Sequence, residues 1–217
     1  MFLETLNTLL DATLSTIYMV LVAGFSAFIV GLPIAIGLTV TAKGMFYENV
    51  LVHKILSSIV TIGRSVPFVI LMVAIIPFTR FIVGSSIGTA AAMVPLSVAA
   101  IPFFARVVEG KLASVNSGLI EAAQAMGASP IQIIYKVLLP EAVPGISNAC
   151  TILFVSLTEY SAMAGAVGGS GLGNMAIQYG YYQFNTPVML QALVMLVLLV
   201  LIIQFLGDFI TRKVSHL

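Results

Sequence analysis

Long uncharged apolar runs alternate along this chain with short clusters of charge, and the intervals between charges mark out the elements. No charged residue falls between Asp11 and Lys43. That run predicts a first helix at about 14–41, with Gly31, Pro33 and Gly37 inside it as breakers of the kind membrane helices tolerate. A second helix is expected at about 57–79, ending at Pro77 and Arg80, and a third at about 86–106, between Arg80 and Arg106. A fourth fits about 144–166 and a fifth about 188–211. The last four are each near the length of about 20 residues that a bilayer requires, and the first is somewhat longer. The stretch 46–56, with Glu48, His53 and Lys54, reads as a short surface helix rather than part of a span.

Composition makes the solvent explicit. The chain is 60% hydrophobic and only 8% charged, with a mean hydropathy of +1.13, where a soluble domain carries about 25% charged residues. The fold class is therefore an all-α integral membrane protein, with 1–217 as a single transmembrane domain. The net charge of +1 has no basic cluster behind it and argues against nucleic acid. Cys150 is the one cysteine, so no disulfide within the chain can form. No Lys or Arg precedes Lys43, and a cleaved signal peptide is not expected.

Basic residues also set an orientation. With the N-terminus outside, Lys43, Lys54, Arg106, Lys111, Lys136, Arg212 and Lys213 are cytoplasmic and only Arg80 is external. Arg64 is then expected near the inner end of helix two. Five spans, N-terminus out and C-terminus in, place the 112–142 segment in the cytoplasm. The five spans show no internal repeat. So small a chain encloses no solute path alone, and a symmetric homodimer would put one on its two-fold axis.

The 112–142 segment is the longest water-facing stretch. Ser117 and Gly118 can open a short helix, with Glu121 in its early turns where the helix dipole favours an acid. Leu119, Ile120, Ala123 and Met126 are expected on one side. Gly127 should end it, and Ser129-Pro130 should start a second helix as N-cap and first residue. Pro140 is expected to stop that second helix, and Pro144 to open the next span.

Glu121-Ala122-Ala123, with Gly127 six residues after the acid and Leu139-Pro140 at the far end, resembles the EAA loop of bacterial ABC importer permeases. Val137 stands where that pattern usually has Ile. The resemblance implies a coupling helix, Glu121, Ala122, Ala123, Gln124, Met126, Gly127 and Ala128, docked into a groove on a cytoplasmic ATPase. Further stretches are similar to the methionine-type permeases: Arg64-Ser65-Val66-Pro67-Phe68, Ile76-Pro77-Phe78-Thr79-Arg80, Gly88 to Ala92, and Tyr160 to Gly165. What this implies is a homodimer with two ATPase subunits, which bind the ATP and Mg, fed by an extracytoplasmic substrate-binding lipoprotein. D- and L-methionine as substrate, and the bacterial inner membrane as location, rest on the same resemblance.

Other positions admit two readings each. Glu159 is an intramembrane acid, and such acids are functional by default, unless it lies at the solvated outer interface. With it, Tyr160, Ser161 and Met163 are candidates for a translocation path or gate, or for packing between helices. Arg64 either snorkels to phosphates or serves transport. The uncharged 167–187 stretch, rich in Tyr and amides, suits a headgroup-level cap or a docking surface; its Gly168 to Gly173 string follows no strand and is not a nucleotide fingerprint. Catalysis lacks an inventory: His53 and His216 lie at opposite ends, and no metal motif or P-loop occurs. No catalytic residue, metal or cofactor is expected in the chain itself. A secondary transporter or channel without an ATPase, and a scaffold that recruits a cytoplasmic protein, are the alternatives.

Overall fold

Helices built from these apolar runs account for nearly the whole computed structural model, which describes residues 2–215; His216 lies outside them. In chain order they are α1 (Phe2–Thr41), α2 (Val50–Ser65), α3 (Phe68–Ala74), α4 (Ile76–Val83), α5 (Thr89–Ala113), α6 (Ser117–Ala125), α7 (Pro130–Ile133), α8 (Leu139–Ala166), α9 (Leu172–Met175) and α10 (Thr186–Val214). π-Helical turns at Ile134–Leu138 and Ala176–Tyr182 lead into α8 and towards α10. Among the described residues four helical stretches are long and apolar enough to cross a bilayer: within α1, α5, the continuous 130–166 helix, and α10. A fifth crossing exists if α2 and α3, bent by 98° at their junction, count as one.

Contacts fix which ends lie together. Lys111 approaches Gly145, and the Gly88 N–H donates to Gly168 O at 2.9 Å, so α5 and α8 run antiparallel. The Thr211 hydroxyl donates to Ser147 Oγ at 2.9 Å, which sets α10 antiparallel to α8. His53 Nδ1 lies 3.0 Å from Leu38 O, bringing the start of α2 to the end of α1. One end of the bundle thus collects Lys43, Lys54, Arg106, Lys111, Lys136, Arg212 and Lys213, with α6 beside them. The core runs down the middle through Met19, Ala23, Leu96, Phe104, Leu153 and Leu157.

Several boundaries differ from expectation. The first helix begins at Phe2 rather than about 14. Asp11 is exposed and costs nothing there, while Leu9 packs in a small cluster with Leu172, Met175, Val188 and Ala192. The second helix is not 57–79 with a separate surface helix at 46–56. After a turn in which the Gly44 N–H donates to the Glu48 carboxylate at 2.8 Å, Asn49 caps α2 by accepting from the Val52 N–H. That helix then runs to Ser65, where the residue before Pro67 is forced into extended backbone: Val66 has φ −83°, ψ 122°. The third helix extends to Ala113 because Arg106 and Glu109 pair along it at 2.7 Å, and charged residues are good helix formers in water. Nor does Pro140 stop a helix. It sits within the continuous 130–166 helix, immediately after the π-helical turn that absorbs its missing N–H; Pro144 lies inside α8.

Candidate functional site

Two regions carry the residues that the sequence singles out. At the charged end, α5 closes with the Ser114 hydroxyl donating to Lys111 O at 2.7 Å. Asn116 then caps α6, its side chain accepting from the Gly118 N–H at 2.9 Å. Two backbone bonds close the other end of α6, from Gly127 N–H to Gln124 O at 2.9 Å and from Ala128 N–H to Ala123 O at 3.0 Å. That is a Schellman motif, and Gly127 occupies its left-handed position at φ 78°. Ser129 and Gln132 form a reciprocal capping box with Pro130 at the first helical position. Both ends of the short helix are thus fixed, one by the Asn116 side chain and the other by backbone hydrogen bonds.

The faces of α6 separate by exposure. Ile120 (7% exposed) and Ala123 (4%) join the buried cluster that includes Leu112, Ile133 and Leu138. Leu119 and Met126, expected on the same side as these two, are exposed instead, Met126 at 82%. A helix advances 100° per residue, so positions 120 and 123 share a face that neither 119 nor 126 fully enters. Glu121, Ala122, Gln124 and Gly127 are also exposed, and Ala128 is half-buried. What the fold presents at this end is a clamped helix with small, polar residues and one unpartnered methionine outward.

The second region lies at the α2–α3 break, where that bend meets α5 and α8. Phe68, the first residue after Pro67, stacks on Tyr160 of α8 with ring centroids 5.0 Å apart and planes 10° from parallel. The Arg64 guanidinium sits over the Phe103 ring of α5 at 5.9 Å. Together with Ala99 these residues line a cavity of about 170 Å³. Two of the sequence stretches quoted above, around Arg64 and around Tyr160, therefore meet in space. The sequence assigns no role to Phe68, suggests only close helix packing for the small Ala99, and offers no signal beyond apolar character for Phe103.

The four path candidates do not share one face. Glu159 and Met163, one turn apart, are exposed, and Tyr160 is half-buried in its stack. Ser161 is 2% exposed and its hydroxyl donates to Thr158 O at 2.7 Å, which turns it into the helix packing. Arg64 is also displaced from expectation. It lies in the last turn of α2, about 21 Å along from the helix start at 1.5 Å per residue, not near an inner end.

The glycine string closes the opposite end. The Leu172 N–H donates to the buried Thr16 hydroxyl at 2.9 Å, tying the turn after α8 to α1. A Cβ at Gly173 would run into the Ala162 backbone and one at Gly165 into Gly173 and Asn174. These glycines serve close backbone approach. Beyond them the 167–187 stretch is largely helical, with Tyr181, Tyr182 and Phe184 exposed.

Antiparallel apolar helices, a helix pair bent by 98° and a clamped helix at the charged end fit a membrane permease. The model of the binding-protein-dependent transport system inner membrane component family matches residues 31–216, and the chain belongs to that family. A relative from Vibrio cholerae, a probable D-methionine transport system permease protein MetI, is 54% identical over 210 residues, covering 97% of this chain and 93% of its own. The D-methionine transport system permease protein MetI of Escherichia coli K12 is 54% identical over 150 residues, 69% of each chain. Among solved structures, an inward-facing conformation of the MetNI methionine ABC transporter superposes with a TM-score of 0.95 at 52% identity, covering 97% of this chain and 98% of that one. An amino acid ABC transporter with histidines shares the fold, with a TM-score of 0.79 at 18% identity, covering 98% and 96%.

Proposed function

We propose that this chain is the permease subunit of an ATP-driven importer for methionine, acting as a homodimer with two cytoplasmic ATPases and receiving substrate from an extracytoplasmic binding protein. The observation that carries the reading is 54% identity to a D-methionine permease along 97% of the chain. The charge distribution supports an N-terminus-out orientation, with α6 in the cytoplasm.

In this reading α6 is the coupling helix. A helix clamped at both ends by capping bonds transmits displacement instead of unwinding. Ile120 and Ala123 tie it to its own subunit, while Glu121, Ala122, Gln124 and Met126 face the ATPase. Closure of the ATPases on nucleotide moves α6, and through it the path-lining helices, so that the dimer opens outward. Hydrolysis returns it inward. Glu159, Tyr160 and Met163 lie on the path or its gate, and Ser161 supports them from the packed side.

The test is uptake of labelled methionine by proteoliposomes holding this chain, its ATPase and its binding protein. Uptake that requires internal ATP and all three components is expected. Uptake driven by an ion gradient without ATP would establish the secondary-transporter alternative, and stable ATPase binding without any flux the scaffold alternative.

A further inference from the structure

One charged side chain, Arg64, lines the cavity at the α2–α3 break. Among the described residues, Arg106 is neutralised by Glu109 at 2.7 Å, whereas Arg64 makes neither an ion pair nor a hydrogen bond. Its cavity is bounded on one side by Phe103, ten residues and about 15 Å from the charged end of α5. On the other it is bounded by Tyr160, six residues and about 9 Å from the opposite end of α8. Arg64 is exposed on the isolated chain, and its guanidinium rests on an aromatic face. A cation at this depth that faces hydrocarbon is costly, so such residues face an aqueous cavity or a partner.

The cavity also has the shape of a solute site. A planar guanidinium offers a fork that matches a carboxylate through two parallel hydrogen bonds. The Phe68–Tyr160 stack supplies an aromatic wall suited to an apolar or thioether side chain. Glu159, next to Tyr160 in sequence, is exposed and is not among the residues that line the cavity.

We propose that the Arg64 cavity is a transit site for the carboxylate of the amino-acid substrate, an inference that rests on the import function above. The site is used in passing and is refilled from the binding protein. Loss of the guanidinium therefore lowers maximal uptake and leaves the half-saturating methionine concentration unchanged. Phosphate of a lipid headgroup has the same oxyanion chemistry, and the variants separate the two sources. A snorkelling role needs only a cation on a flexible stem, whereas carboxylate recognition needs the fork.

The experiment compares wild type, Arg64→Lys and Arg64→Met in the proteoliposome assay. The ATPase rate and the melting temperature of the assembled complex are recorded alongside. Both variants are expected to lose roughly tenfold in maximal uptake, the scale of one charged hydrogen-bonding contact, with ATPase rate and melting temperature retained. Wild-type uptake in Arg64→Lys with a destabilised Arg64→Met complex would assign Arg64 to lipid and overturn the proposal. So would full uptake in both, or a parallel loss of ATPase rate. Absence of uptake by the wild type would instead overturn the import function itself.

Discussion

Met126→Ala separates the proposed docking role of α6 from the stability of the subunit. The side chain is 82% exposed, so nothing in its own chain leans on it, and alanine at this C-cap position keeps the backbone bond from Met126 N–H to Ala122 O. If the ATPase covers it, truncation removes most of a methionine from a buried contact. Full burial of such a side chain is worth about 1.5–3 kcal/mol; with the Cβ retained, about 1.5–2 kcal/mol is lost per site. That corresponds to roughly a 10–30-fold weaker dissociation constant, at 1.4 kcal/mol per factor of ten. The assay titrates detergent-solubilised permease with labelled ATPase and reads the melting temperature of the permease alone. An affinity within twofold of wild type would refute the assignment of this face to the ATPase. A lowered melting temperature of the free permease would show instead that Met126 has a partner within its own subunit.

Gly127→Ala should lower the melting temperature of the permease by a modest amount. The new methyl group meets nothing within 4 Å, leaving only the left-handed backbone penalty of about 1–2 kcal/mol; Gly127→Asn should be milder. Thr16→Val keeps shape but removes the hydroxyl that accepts from the buried Leu172 N–H. A loss of about 1–3 kcal/mol is expected, read by thermal unfolding, with Thr16→Ser close to wild type. Equal stability of Thr16→Val and wild type would mean that the glycine turn finds another acceptor.

Much of this architecture is legible in the apolar runs, because a bilayer leaves little choice for them but a helix. The Ser129-Pro130 start and the Gly127 stop are equally legible, since capping and left-handed positions demand particular residues. Boundaries fail where local rules compete. Pro77 and Arg80 invite a stop that the chain makes at Val66–Pro67 instead, and Pro140 invites a break that a π-helical turn absorbs. Charge was treated as the edge of a span at Asp11 and Arg106, although helices continue into water. The Arg64 cavity was hidden for a different reason. Its walls come from α2, α3, α5 and α8, and the sequence gives no register between them.

One consequence follows from the unbroken run between Pro130 and Ala166. Its first turns lie against the clamped helix at the charged end, and its last reach the glycine turn bonded to α1. Thirty-seven residues at 1.5 Å each make a lever of about 55 Å. If the proposed ATPase imposes a tilt of about 5° at the charged end, the far end of a helix that long moves by about 5 Å. Tyr160 and Met163 ride on its outer quarter, where the travel is nearly greatest. Under the proposed coupling, a movement too slight to disturb the packing around α6 would shift Met163 by several ångströms.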